Sequence, residues 1–451
     1  MIRAGAIALL SLLAFPGRAE SEERGALDRL GLRGSLAATY FSSNHDLDGR
    51  LNFPGLNAVL QQRVRLAPGI RWIAEGRVLA QQLGHEDVPA PGWSGRGLRY
   101  VAQVTAEVRE GYVEVVGDRW ELRAGHQIIA WGRADELNPT DVITPKDFRL
   151  LLPDAPAGYR FGVTALRADY FLPHALRLSG VWVPVFAASI VPHSDPPEGI
   201  QLQESLPPVA VENGSAGIKL DRSGEDIDAS LSYFYGYNLL PELHVADASS
   251  EPTTGAIHAV VDAEHRRQHM VGIDFATARG RMGYRGEVAF VDTGNADGHD
   301  VESIVPYLYY VLGVERTLFD NLSVILQYVG RWVPNRVDPA RALPDPDVLR
   351  GRLQYAAARE TFVINQQLDT VQNGFSTRLD QRFWNDTLDC ELLSVYYVER
   401  GDFLVRPKIT YALTDAFTVT TGGEIFGGPR YSFFGRVKDN TGAFVELRYN
   451  F

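Results

Sequence analysis

The chain has 451 residues, 45% hydrophobic and 10% aromatic, with a mean hydropathy of −0.13. Its 56 acidic and 44 basic residues leave a net charge of −12, which argues against a nucleic-acid partner. The single cysteine, Cys390, excludes an intramolecular disulfide and a cysteine-based metal cluster, and beyond the N-terminal stretch no run of about 18 apolar residues offers a helical membrane span.

Residues 1–19 read as a secretory signal peptide. Arg3 supplies a short basic start, 4–15 an apolar stretch, and Ala19 a small residue for cleavage ahead of the charged Glu20, Glu22, Glu23 and Arg24. Residues 20–29 then form a periplasmic lead, and 30–451 the exported domain.

From residue 30 onward, apolar and polar residues alternate in short runs, the period of a strand that meets two environments. The alternation predicts strands near 30–41, 57–66, 70–83, 106–116, 119–129 and 160–172. Six more follow near 174–186, 214–222, 226–238, 266–278, 281–293 and 304–318. The last six fall near 321–333, 374–384, 387–399, 402–413, 416–427 and 442–451. Links such as 67–69, 117–118, 279–280 and 414–415 are short. They alternate with long ones at 42–56, 84–105, 130–159, 187–213, 239–265, 294–303, 334–373 and 428–441, only 400–401 breaking the pattern. Short turns at one end and long loops at the other belong to a membrane barrel, and an even strand number returns both termini to the periplasm. The expected fold is all-β: a transmembrane antiparallel up-and-down barrel of about 18 strands, or about 16, with an inward-folded loop.

The two faces of the strands differ in kind. Phe403, Val405, Ile409 and Tyr411 oppose Arg406, Lys408 and Thr410. Cys390 stands on the apolar row with Leu388 and Leu392, which makes it lipid-facing. The charged rows supply candidate lumen-wall residues: Arg63, Arg65, Arg77, Arg123, Arg285, Arg378, Arg382, Arg406, Lys408 and Arg448. Burying so many ions in a dry core costs several kcal/mol each, whereas a wet lumen removes that penalty.

The link 130–159 is the candidate lumen loop. Asn138-Pro139-Thr140-Asp141 and Thr144-Pro145-Lys146-Asp147 make two stiff turns, and Thr144-Pro145 is also suited to start a short helix through Leu152. Arg133, Asp135, Glu136, Asp141, Lys146, Asp147 and Arg149 are the candidate constriction, where charge and width select solutes. The same residues also fit a structural latch that never meets a solute. Their carboxylates lack the spacing of an EF-hand calcium loop. In 334–373 a Pro-rich stretch precedes a helical composition over 348–367, a second candidate functional loop. The segment 187–213 reads as an irregular extracellular loop rich in proline. No nucleotide-binding, hydrolase or metalloprotease motif is present, so neither an enzyme nor a cofactor is expected. His258, His265 and His269 read as exposed histidines rather than metal ligands.

Gly125-x-Gln127, Trp131-Gly132 and Asn138-Pro139 resemble the motif of a porin-like family of proteobacterial outer-membrane proteins defined by a domain of unknown function. His126 stands where that motif has Arg. The strand 442–451, ending at Phe451, resembles the closing strand that the outer-membrane barrel assembly machinery reads. These resemblances imply a lipid-embedded barrel in a Gram-negative outer membrane that moves a small solute. They also imply a variant role: export of lipid-like cargo in partnership with inner-membrane machinery. A plugged barrel acting at the cell surface as enzyme or adhesin is the remaining expectation.

Overall fold

In the computed structural model, the described residues are 30–43, 52–83, 101–148, 159–191, 196–319, 321–344 and 347–451. The signal peptide, the lead 20–29 and the candidate constriction residue Arg149 lie outside them. Eighteen strands form one antiparallel ring. It starts with β1 (Leu32–Ser43), β2 (Asn52–Ala67), β3 (Ile70–Leu83), β4 (Val101–Val116), β5 (Trp120–Gln127), β6 (Val163–Leu172) and β7 (Leu176–Val183). β8 (Ile200–Ser205) leaves the ring, which resumes with β9 (Ser215–Ser223) and β10 (Ile227–Tyr237). β11 (Glu242–Ser250) and β12 (Ile257–Glu264) also stand apart from it. Next come β13 (Arg267–Arg279), β14 (Met282–Asp292), β15 (Tyr307–Leu318), β16 (Leu322–Trp332) and β17 (Val371–Phe383). β18 (Leu388–Tyr397), β19 (Asp402–Ala412), β20 (Phe417–Gly427) and β21 (Gly442–Asn450) complete it.

Each predicted strand corresponds to one strand of the ring. β21 pairs with β1 from Ser35↔Asn450 to Ser43↔Gly442, so no edge is left open. Gly34 and Phe451 exchange both backbone hydrogen bonds at 3.0 Å, and Thr39 Oγ1 donates to Glu446 Oε2 at 3.1 Å across the same seam.

Alternation sorts the side chains. Leu231, Ile273 and Val288 lie side by side in register and are exposed on the outer face. One residue away, Ser230, Asp274 and Glu287 form an inward row and are buried. An apolar exterior over a polar interior suits lipid outside and water or protein within.

The long links hold more structure than their composition suggests. β8 pairs in parallel with β12, which pairs antiparallel with β11, so 187–213 and 239–265 share a small sheet. This corrects the reading of 187–213 as wholly irregular. Its strand, Ile-Gln-Leu-Gln-Glu-Ser, is short and polar, and its partner lies far along the chain, so local periodicity is silent about it. Within 334–373, α1 (Val348–Ile364) follows the helical composition, its start capped by Asp347, which accepts from the Leu349 and Arg350 N–H groups. α1 packs Leu353 and Ala357 against Val245 and Val261 of the small sheet. Phe362 and Ala358 meet Ile304, Val305, Val333 and Val337 of the ring's long-link end. Sheet and helix together cap that end.

A Cβ at Gly34 would lie 2.6 Å from both the Val59 carbonyl oxygen and the Phe451 ring. Gly34→Val is therefore expected to destabilise the closing seam by about 1–3 kcal/mol, measured by urea-dependent unfolding of the refolded barrel in lipid vesicles.

Candidate functional site

After β5 the chain does not turn straight back into β6. Residues 128–148 cross the inner side of the ring instead. Ile129, Trp131 and Ile143 pack into a cluster with Val163, Val181, Val183, Phe234, Met270 and Val291 of the wall. Burial of such side chains contributes about 1.5–3 kcal/mol each, which fixes the segment against β6, β7, β10, β13 and β14. Further along, Ala134 and Leu137 pack against a second cluster that includes Val329, Val395, Leu404 and Phe434.

Between the two clusters the segment meets a single carboxylate. Glu287 Oε2 accepts from the Arg133 and Ala134 N–H groups at 3.0 and 3.1 Å. Its Oε1 accepts from the Thr140 N–H at 2.6 Å and the Thr140 hydroxyl at 2.8 Å. Gly132 makes this approach possible: its φ is +96°, and a Cβ there would sit 2.5 Å from Glu287 Oε2.

The charged residues of the segment then divide into two groups. Arg133 Nε bonds Asp274 Oδ1 at 2.6 Å, and the guanidinium also lies 3.4 Å from Asp221 and 3.6 Å from Asp228. Asp135 exchanges backbone bonds with the Gln327 amide at 2.9 and 2.8 Å and takes Arg378 Nη1 at 2.9 Å. Glu136 lies 3.8 Å from Arg378 Nη1. Burial pushes the Glu136 carboxyl up, against the opposing pull of Arg406 and Arg378. β5 is the fifth strand of the ring and β17, which carries Arg378, the fourteenth of eighteen. They face each other across the barrel, so the segment reaches the wall opposite its origin.

Asp141, Lys146 and Asp147 sit elsewhere, near the top of β6 and β7. Asp141 takes Lys146 Nζ at 2.9 Å and Arg160 Nη2 at 2.8 Å. Lys146 and Asp147 form isolated bridges to Arg160 and Ile190. Among the described residues Thr144 does not start a helix: its hydroxyl donates to Ile129 O at 2.7 Å and accepts from the Ile129 N–H at 2.9 Å, and 146 and 147 run extended into the bridges, while 149–152 lie outside the described residues. The backbone donors that a helix would consume are taken by Tyr159 O and Ile190 O.

Along the wall, ions pair with their neighbours. Arg77 meets Glu107 at 2.5 Å, Arg123 meets Glu121 at 2.6 Å and Glu114 at 3.0 Å, and Arg406 Nε meets Glu424 at 2.6 Å. Arg448 meets Glu446 at 2.9 Å, Lys408 meets Glu391 at 3.3 Å, Arg382 meets Asp380 at 3.6 Å, and Arg285 pairs with Glu315. Arg65 lies opposite Arg71 in register, and Arg63 lines a recess of about 220 Å³ with Arg71, Ile73, Tyr112, Glu114 and Arg123. Sequence reasoning named none of Asp221, Asp274, Glu287 and Gln327 as an anchor of the segment, although all four stand buried on the inward row of their strands. Their signal was an isolated polar residue at mid-strand on that row.

The histidines 258, 265 and 269 are not brought together as a ligand set. His265 is buried, with Nδ1 bonded to Asn238 O at 2.9 Å, while His269 lies against Tyr233 and Tyr235.

The fold is similar to that of OccK5 (OpdH) from Pseudomonas aeruginosa, with a TM-score of 0.51 and 10% identity, covering 93% of this chain and 97% of that one. It is also similar to OccAB1 from Acinetobacter baumannii, with a TM-score of 0.52 and 8% identity, covering 93% of this chain and 96% of that one. No family model and no curated protein matches the sequence. At these identities the likeness is one of fold, that of a closed antiparallel β-barrel.

Glu287→Ala leaves three backbone amides of the segment without their acceptor. The expected cost is on the order of 3 kcal/mol, with faster hydrogen exchange at the Arg133, Ala134 and Thr140 amides; Glu287→Gln, which keeps one acceptor oxygen, loses less.

Proposed function

We propose that the chain is a porin-like channel of a Gram-negative outer membrane, passing small polar or amphipathic solutes past a constriction made by the crossing segment. The observation that carries this reading is the arrangement of charge. A closed ring holds paired ions on its inner face, and the polar anchors of residues 133–140 lie on one arc of it, β9–β17. The solute path follows the other arc, β18–β21 and β1–β5, where Arg77, Arg123, Arg406, Lys408 and Arg448 pair with wall carboxylates. Asp135 and Glu136 border that path from the segment side, so solutes meet both signs of charge and are sorted by the direction of their own.

In this reading residues 1–19 direct export, Phe451 engages the barrel assembly machinery, and lipid surrounds the outer apolar rows. A second reading draws on the apolar clusters around Trp131 and Phe434 and on the cap. In it the barrel serves export of hydrophobic cargo with an inner-membrane partner, or stays shut and acts at the surface.

Planar-bilayer recording of the refolded protein separates these readings, since the channel gives discrete conductance steps and a shut barrel is silent. Because burial raises the Glu136 carboxyl, it loses its charge at a higher pH than an ordinary carboxylate. Anion preference is therefore expected to rise as pH falls into the mildly acidic range. Glu136→Gln should show that preference already at neutral pH and flatten the response, whereas an unchanged pH response in this variant removes Glu136 from the constriction.

A further inference from the structure

The cap carries a side-chain constellation that solute passage does not use. His244 of β11 lies with Nδ1 3.9 Å from Asp300 Oδ2 and 4.0 Å from Glu302 Oε2, both on the link between β14 and β15. One ligand-type atom from each residue lies within 4.8 Å of the other two. Ser303 Oγ donates to Asp300 Oδ2 at 2.9 Å, so toward His244 Nε2, 3.4 Å away, it can only accept. That contact draws the ring proton to Nε2 and leaves a lone pair on Nδ1, which has no hydrogen-bond partner among the described residues. The three ligand-type atoms then converge at separations too long for hydrogen bonds to one another. A small side-chain adjustment brings all three onto one cation.

The surroundings favour such a cation. A histidine whose second nitrogen is held by a hydroxyl has the support that metal-bound imidazoles usually have. Asp300 Oδ1 accepts from the Glu302 N–H at 3.0 Å, Glu302 Oε1 from the Val245 N–H at 2.9 Å, and Glu302 Oε2 from Gln354 Nε2 at 3.3 Å, so both carboxylates are oriented in advance. Asp262 and Glu264 add further negative charge nearby. Against them stand Arg266, whose Nη2 lies 2.8 Å from Asp300 Oδ2 and yields that oxygen when the ion binds, and Arg350, bonded to Val245 O at 3.1 Å. Carboxylates outnumber guanidiniums.

We propose that His244, Asp300 and Glu302 bind a divalent first-row transition metal such as Zn²⁺, which clamps the capping sheet to the β14–β15 link. One imidazole with two carboxylates suits such an ion better than Ca²⁺ or Mg²⁺, which favour all-oxygen shells. Through Gln354 the clamp also reaches α1, tying sheet, helix and barrel rim at one point.

The test is calorimetric titration of chelator-treated, refolded full-length protein with ZnCl₂, each variant first verified as a folded barrel by heat-dependent migration. The wild type is expected to bind Zn²⁺ at one site and to slow hydrogen exchange in 242–246 and 300–305. His244→Ala and Glu302→Gln should each weaken binding by about 100-fold, and Ser303→Ala, which leaves all three ligands, by about tenfold. His299→Ala removes an exposed histidine 3.2 Å from Asp297 and should leave binding intact. Absence of binding by the wild type overturns the proposal, as does equal binding by the wild type, His244→Ala and Ser303→Ala. Loss of binding in His299→Ala alone also overturns it, by moving the ion to the surface pair.

Discussion

The interior depends on how one buried carboxylate is satisfied. Glu287 is 1% exposed, and an isolated ion in that position is strongly disfavoured unless donors surround it. The crossing segment has the matching problem, since its irregular backbone sits within the ring and its amides need acceptors. Each solves the other's difficulty. Three amides and a hydroxyl from 133–140 converge on the two carboxylate oxygens, while Gln327 and Thr144 complete neighbouring amides. The charges of Arg133 and Asp135 are then placed by a fixed backbone rather than by flexible side chains alone.

The inner rows also change character along the strands. On β10, Asp228, Ser230 and Ser232 precede Phe234 toward the long-link end; on β14, Glu287 precedes Ala289 and Val291. β13 runs the other way and reads Met270 before Asp274. The ring thus has an ionic level at mid-height and an apolar level above it. Trp131 and Phe434 fill the apolar level, and Arg133 and Arg378 occupy the ionic one. This division explains why the ions tolerate burial: they pair at the level where water and opposite charges are at hand.

Much of this was legible in the sequence, for a definite reason. A membrane strand writes its two environments into every second residue, so the ring strands and the inward position of Glu287 and Arg378 follow from alternation. Strand order follows from antiparallel neighbours joined by short links. What alternation cannot state is which inward residue meets the crossing segment, because Arg133 and Glu287 stand 154 residues apart in the chain. For the same reason Asp141 and Lys146 look equivalent to Asp135 and Glu136 in sequence, although the first pair is held by Arg160 and each other near β6. The capping strand β8 was hidden because its partner, β12, lies in another loop. His244 met Asp300 and Glu302 only through the fold.

The parallel pairing of β8 with β12 sets an order on how the molecule comes together. β8 precedes β9 in the chain and β12 follows β10, so the ring hairpin between them, once formed, brings the two close enough to align. Contacts of long sequence separation carry a loop-closure cost that nearby strands have already met once the wall stands. Loop closure thus favours a late-arriving lid, with the staves raised first and the mouth covered afterwards.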